Sequence, residues 1–376
     1  MSPTNSPATA PSSSNPPSGA GSGGSGSPTS ASRFIYGTPG FESGSLQAGQ
    51  INNGTGAVSL IAGSPFDEGL GQSSIIQVIG DPKGRFVYAL NVEASAVGTV
   101  IGNPGIGGFA INQQSGALTR IPGTPIQFPV RNNNLLAVDG AGRFLFEPDG
   151  VNGSPSTGFN IYGIDQSTGA LTKSSATSNA PPVGSFSLAS PDGRLLFNSG
   201  NGLVEAFSIN SANGQLTSSG SPISTQGSAG PMALSNDDKF LYVANQKEGN
   251  VAVFAIGASG NLVPVTGSLF AIDSGAQYLA LTPDGRFLYV AASTSLGQAV
   301  KGYAVNPSAG TFMPISGAVV NNVTSVSLDQ SGKFAYISDA GDLFTYSIDP
   351  ATGALKQISR TSGPSSDDAW DMVTTP

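Results

Sequence analysis

Residues 281–293 read LTPDGRFLYVAAS. An apolar run, a Pro-Asp-Gly turn and a second apolar run describe one β-hairpin, with Gly supplying the positive φ that such a turn needs at no steric cost. The second half of this phrase recurs along the chain as SRFIYG (32–37), GRFVYAL (84–90), GRFLFEP (142–148), GRLLFNS (193–199), DKFLYVA (238–244), GRFLYVA (285–291) and GKFAYIS (332–338). Each copy is followed by another marker: TGAVSL (55–60), SGALTR (115–120), TGALTK (168–173), NGQLTS (213–218), SGNLVP (259–264), AGTFMP (309–314) and TGALKQ (352–357). Two markers in strict alternation, with a period of roughly 45–60 residues, have the spacing of propeller blades.

Two further strand-like runs complete each unit. One lies between the markers, as in VAVFAI (251–256), VEAFSIN (204–210) and LFTYSID (343–349). The other precedes each turn, as in IIQVIG (75–80), FSLAS (186–190) and YLALTP (278–283). Four short antiparallel strands make a blade. Phe287-Leu288-Tyr289-Val290 is apolar on both faces, as a sheet stacked between two neighbours requires. In the fourth hairpin Asp237-Asp238 replaces the turn glycine, and Asp is among the side chains that tolerate positive φ. The first unit begins at Arg33 with its second strand, whereas AWDMVTTP (369–376) matches AQYLALTPDG with its turn removed. The expected fold is therefore all-β: a seven-bladed propeller of four-stranded antiparallel blades. Residues 369–375 are expected to close the ring beside Phe34–Tyr36, which removes the open sheet edge.

Composition agrees with many short strands and turns. Of 376 residues, 52 are Gly and 27 Pro, while only 10% are charged. Residues 1–30 contain Ser, Pro and Gly in abundance and no charged side chain, so residues 1–32 are expected to be a flexible linker ahead of a propeller spanning 33–376. The linker is either a plain spacer or a tether that holds an exported domain off a surface. A net charge of −8 argues against a nucleic-acid-binding surface. No apolar run approaches the ~18 residues of a membrane helix. The N-terminus has neither the basic start nor the apolar stretch of a signal peptide, so an exported protein would be represented by its processed form. Cysteine and histidine are both absent, which removes thiolate nucleophiles, Cys-ligated metal and the side chain best suited to acid–base work near neutral pH.

With seven such units, the sequence resembles the lactonase-family propellers, including the YVTN-repeat proteins. LSNDDKFLYVANQKEGNVAVFAIGASGNLVPV (234–265) matches their repeat well, and the resemblance extends over about 33–376. That family includes 6-phosphogluconolactonases and a carboxymuconate lactonizing enzyme. The resemblance implies a site at the mouth of the central channel, served by His, Arg and Glu side chains, and this chain has no His to match one of them.

A lactonase activates water or an acidic C–H and stabilises an oxyanion. Without His, a carboxylate must be the base and a Lys or Arg its electrostatic partner. Arg131, just before an innermost strand, with Glu147 and Asp149, just after a second strand, is the one grouping that offers both within a blade. A loop salt bridge or solvated charges is the structural alternative. Asp67, Glu68 and Asp273, with Asp367 and Asp368, occupy loops entering first strands, and Glu93 and Asp339 follow second strands. Of these, Asp67, Glu68, Asp273 and Asp339 are candidate ligand-binding residues. The carboxylates at the chain-end seam read as a solvated rim, with a weak Ca²⁺ site as the alternative. No metal site and no cofactor are assigned.

No nucleophile elbow or P-loop is present. The Gly-rich GTVIGNPGIGG (98–108) reads as an extended loop between the second and third strands of its blade, and GVNGSPSTG (150–158) elaborates the next. Inserted loops on a rigid scaffold are where binding usually resides, and these suit protein or carbohydrate contact. Two functions follow. One is an exported, non-catalytic binding or scaffold propeller, extracellular, cell-surface or periplasmic, with a protein or carbohydrate ligand. The other is a lactone hydrolase acting on a small lactone through carboxylate and Arg groups.

Overall fold

The computed structural model describes residues 32–38, 44–67, 69, 73–96, 99–101, 104–128, 134–150, 157–273, 275–294, 297–321, 325–339, 342–362 and 372–376. The expected linker, residues 1–32, falls outside this set apart from its last residue. The described strands form seven antiparallel sheets and no helix. Each sheet runs outward through four strands, in chain order in every blade but the first, whose innermost strand comes from the C-terminus. In blade 6 these are Tyr278–Leu281, Phe287–Thr294, Gly297–Val305 and Phe312–Asn321. The first strands touch in succession around a closed circuit, so the sheets form a ring about a central channel. The seven-bladed propeller expected from the repeats is the fold.

Two refinements stand beside it. In blades 1, 2, 4 and 5 the fourth strand is interrupted, and a short fifth segment, such as Phe66–Asp67, pairs with the start of the third strand. Residues 98–108 are not simply an extended loop. The second strand of blade 2 runs Phe86–Ala96 and folds back on Thr99–Ile101, and the third strand begins at Gly105. Alternating Gly with β-branched residues leaves the backbone free to pair, so this insertion continues the sheet.

The two sequence markers mate across blades. The first large apolar residue of each second strand covers the turn glycine of the next blade's second marker: Phe34 on Gly116, Phe86 on Gly169, Phe144 on Gly214, Leu195 on Gly260, Phe240 on Gly310, Phe287 on Gly353 and Phe334 on Gly56. These glycines have φ between +72° and +84°, and a β-carbon at any of them would overlap the covering side chain. Each motif thus needs the other's small or large residue. The buried apolar side chains form seven clusters, one at each interface between blades. Four second-strand tyrosines also donate their hydroxyls across the interface: Tyr36 to Gly116 O (2.9 Å), Tyr88 to Gly169 O (2.8 Å), Tyr289 to Gly353 O (2.7 Å) and Tyr336 to Gly56 O (3.3 Å). Buried bonds of this kind contribute about 1 kcal/mol each.

The first hairpins are built in two chemical ways. Where the turn opens with Asp, as at Asp139, one carboxylate oxygen accepts from the Phe144 amide (2.9 Å) and the other from Arg143 Nε (2.9 Å). Where it opens with Ser or Thr, the hydroxyl accepts that amide and donates to an Asp two residues on. Thr282 Oγ1 accepts from Phe287 N (3.0 Å) and donates to Asp284 Oδ1 (2.6 Å), while Asp284 holds Arg286 Nε (2.7 Å). Arg85, Arg143, Arg194 and Arg286 are thus held by the Asp residues of their own turns. Asp238 does take the glycine position of its turn, with φ +56°.

Blade 1 makes the same hairpin from the two ends of the chain. Met372–Thr374 pairs antiparallel with Arg33–Gly37, matching Ile35 with Thr374 and Gly37 with Met372. Thr375 stands where Thr282 stands: its Oγ1 accepts from Phe34 N (2.8 Å) and its amide donates to Phe34 O (2.9 Å). Arg33 pairs instead with Asp329 of blade 7. Of the expected closing strand, residues 369–371 lie outside the described residues and Met372–Thr374 forms the strand, with noncovalent contacts doing the work of the missing turn.

Candidate functional site

The antiparallel order gives the ring two ends. The turn end carries the hairpins just described. The loop end carries the connections between second and third strands and those leading into each first strand, and the candidate residues that are described map there.

Glu147 lies in the second strand of blade 3, Phe144–Pro148, directly opposite Asn160 of the third strand. It is 1% exposed. Asn160 Nδ2 donates to its Oε2 (2.6 Å). Burial pushes the Glu147 carboxyl up to about 7; the Asn160 bond opposes this and the negative charge of Asp149 adds to it. Among the candidates this is the group tuned into the range of a general base. Tyr162 on the next strand is raised in turn, first by burial and then by the Glu147 charge.

Asp149 has another task. Its Oδ1 accepts from the amides of Thr157 (2.7 Å) and Gly158 (2.8 Å), and its Oδ2 from Thr157 Oγ1 (2.8 Å), so it clasps the base of the 150–158 insertion. Asp273 is ion-paired with Lys301 (2.6 Å), tying the loop into blade 6 to that blade's third strand. Asp67 is exposed and caps its own turn by accepting from Gly69 N (2.7 Å). Asp339 ends the second strand of blade 7 opposite Asp342, which is ion-paired with Arg360. Arg131, Glu68, Asp367 and Asp368 lie outside the described residues, as does the side chain of Glu93. Among the described residues, no three Asp or Glu side chains converge closely enough to hold a metal ion.

The channel holds a cavity of about 490 Å³ lined by first-strand residues of blades 2, 4, 5 and 6, with Leu135 of blade 3, Gln246 after the second strand of blade 5 and Gln277 just before the first strand of blade 6. Its polar lining is Gln77, Ser187, Gln246, Gln277 and Tyr278, set among apolar side chains such as Phe186 and Met232. Two of the amides are spent between blades. Gln77 Nε2 donates to Leu136 O (3.0 Å) and its Oε1 accepts from Leu136 N (2.6 Å), while Gln246 Nε2 donates to Ala276 O (3.0 Å). Ser187 Oγ accepts from Asn198 (3.2 Å). Gln277 is exposed into the channel mouth. No Lys, Arg, Asp or Glu lines this cavity among the described residues. These glutamines carry no charge and so escape a reading of the sequence for acid–base groups. The available signal was a Gln interrupting an otherwise apolar first strand, as in IIQVIG (75–80).

The resemblance drawn from the repeats holds in comparison with known proteins. Residues 150–273, about a third of the chain, match the family described as Lactonase, 7-bladed beta-propeller. Among solved structures, the chain is similar to a proposed 6-phosphogluconolactonase from Bacteroides uniformis, with 16% identity and a TM-score of 0.69 over 91% of this chain and 99% of that one. A proposed 6-phosphogluconolactonase from Bacteroides fragilis aligns with 19% identity and a TM-score of 0.69, over 93% and 99% of the two chains. A periplasmic gluconolactonase from Pseudomonas aeruginosa aligns with 19% identity and a TM-score of 0.68, over 92% and 100%. At these identities the likeness is one of fold. No curated protein sequence matches the chain significantly.

Proposed function

We propose that this lactonase-like propeller is an exported binding module that takes an uncharged, hydroxyl-bearing ligand, of the size of a sugar or sugar lactone, in its central cavity without turning it over. The observation that carries this is the lining: amide, hydroxyl and apolar groups, with no charged side chain among the described residues. Hydrolysis needs a base and an oxyanion partner within hydrogen-bond reach of the bound ligand. A phosphorylated substrate would further call for a basic mouth. Gln77 and Gln246 are fixed by bonds between blades, so the lining is rigid before a ligand arrives, which lowers the cost of binding. Export is supported by the Ser/Pro/Gly-rich N-terminal segment and by the likeness to a periplasmic protein. The same segment would serve as a surface tether, and a protein or carbohydrate partner would meet the elaborated loops of blades 2 and 3.

A second reading, lactone hydrolysis, is favoured by one specific observation, the carboxyl of Glu147 poised at about 7, together with the family resemblance. In it Glu147 is the base and Arg131 the oxyanion partner. The test is calorimetric binding and hydrolysis of D-glucono-1,5-lactone by the parent, Met232→Trp and Glu147→Gln. Binding lost in Met232→Trp, with no hydrolysis above background in the parent, supports the binding module. Hydrolysis by the parent that Glu147→Gln abolishes replaces it with the enzyme.

A further inference from the structure

The interface between blades 5 and 6 lacks a contact made at the four other hairpin glycines and a tyrosine bond made at four other interfaces. In the hairpin turns, a β-carbon at Gly84 would meet Pro376, at Gly142 it would meet Asp81, at Gly193 the Asp139–Arg143 pair, and at Gly332 Pro283. At Gly285 it would meet nothing within 4 Å. The turn facing it from blade 5 is the aberrant Ser235-Asn236-Asp237-Asp238. Below this gap, Tyr242 holds the position from which Tyr36, Tyr88, Tyr289 and Tyr336 donate to the next blade. Tyr242 is 1% exposed, yet among the described residues its hydroxyl makes no bond to Gly310 or to any other partner. A cavity of about 230 Å³ fills the place of both missing contacts. It is lined by the buried rings of Phe240 and Tyr242, by Pro283 and Pro307, and by the carboxylates Asp237 and Asp284.

We propose that this cavity is a second ligand site, at the turn end of the ring and separate from the channel, and that it takes a neutral polyhydroxylated ring such as a single pyranose. The volume equals that of roughly eight waters, the scale of one sugar ring rather than an oligosaccharide. Both carboxylates are already charge-compensated, Asp237 by Lys239 Nζ (2.6 Å) and Asp284 by Arg286 Nε (2.7 Å), so an added cation gains little Coulomb energy. Their remaining lone pairs accept hydrogen bonds, while the Tyr242 O–H needs an acceptor. A sugar hydroxyl both donates and accepts, which answers both demands; an ammonium only donates. The aromatic floor and prolines suit the C–H face of a pyranose.

The test uses the whole chain and three probes: methyl β-D-glucopyranoside, choline and D-gluconate. Binding is followed by saturation-transfer NMR and calorimetry in the parent, Tyr242→Phe, which removes only the unpartnered hydroxyl, and Pro307→Trp, which places an indole over the opening from an exposed turn. The expected result is glucoside binding that weakens about 3- to 10-fold in Tyr242→Phe, as loss of one hydrogen bond implies, and disappears in Pro307→Trp. Melting of Tyr242→Phe should match the parent, whereas Tyr289→Phe, which loses its bond to Gly353, melts lower. Glucoside binding unchanged in both cavity variants comes from the channel and overturns the proposal. So does preference for choline or gluconate, absence of glucoside binding, or a Tyr242→Phe melt lowered as far as that of Tyr289→Phe. Met232→Trp, which blocks the channel alone, keeps this result separate from that of the central site.

Discussion

Glu147→Gln should stabilise the protein above neutral pH and flatten its pH dependence. The folded carboxyl sits at about 7 against an ordinary 4.5, because burial disfavours its charged form. A carboxyl raised on folding binds its proton more readily in the native than in the unfolded chain. Its contribution is therefore favourable below pH 4.5 and is lost as pH rises through 7. At 1.36 kcal/mol per pH unit, the loss across that window is about 3 kcal/mol, a sizeable part of a typical 5–15 kcal/mol of stability. Glutamine is nearly isosteric, and its amide oxygen can still accept from Asn160 Nδ2, so the substitution removes the charge without orphaning the donor. The measurement is urea unfolding at pH 5 and pH 8. Between these values the parent should lose 2–3 kcal/mol more than Glu147→Gln, and the variant should be the more stable protein at pH 8. Parallel losses in the two proteins would refute the account of Glu147 as a carboxyl held near neutrality by burial.

Three further outcomes follow from the ring. Removing residues 372–376 unpairs Arg33–Gly37, takes the Thr375 cap from Phe34 and lifts partly buried Met372 and Val373 from their clusters; a loss of about 5 kcal/mol is expected, read as a fall in Tm of roughly 10 °C, and an unchanged Tm would deny that this strand closes the ring. Gly169→Ala places a methyl group into Phe86 and Ile121 at φ +74° and should cost at least 2 kcal/mol in urea unfolding, whereas the same change at Gly54, which meets only Asn52 at 3.5 Å, should cost less than 1. Asp238 is pushed up to about 6 by burial and by the charge of Asp192, so its contribution to stability fades as pH rises from 4 to 6. Asp238→Asn should therefore melt higher than the parent at pH 8 and nearly level with it at pH 4, measured by scanning calorimetry.

Much of this fold was legible because each blade is written locally. The GRFLYV and TGAL phrases encode hairpins through turn glycines and β alternation, and seven copies gave the blade count, the short first unit and the compensating strand at the C-terminus. The insertion at 98–108 misled for a local reason: glycine density reads as loop, yet Thr99–Ile101 pairs with the end of the preceding strand. The candidate site was less legible. Glu147 reads from the sequence as a carboxylate just after a second strand, whereas it lies inside that strand and is buried there; Asp149 and Asp273, chosen for charge, turn out to clasp a loop and to pair with Lys301.

By itself, the sequence determined what depends on a residue and its near neighbours: where strands start, which turns need positive φ, and that Asp237-Asp238 departs from the rule. Tertiary structure decided everything that depends on blade meeting blade. That GRF and TGA are complementary halves of one contact, that Thr375 replaces a turn, that glutamines line the channel, and that Tyr242 faces a gap instead of a carbonyl all arise between residues far apart in the chain; Tyr36 and Gly116 are separated by 80 positions, Tyr336 and Gly56 by 280. Periodicity carries the first kind of information because hydrogen bonding and sterics act locally. The second kind rests on packing at the interfaces between blades, where one aberrant turn borders a cavity that its own residues do not announce.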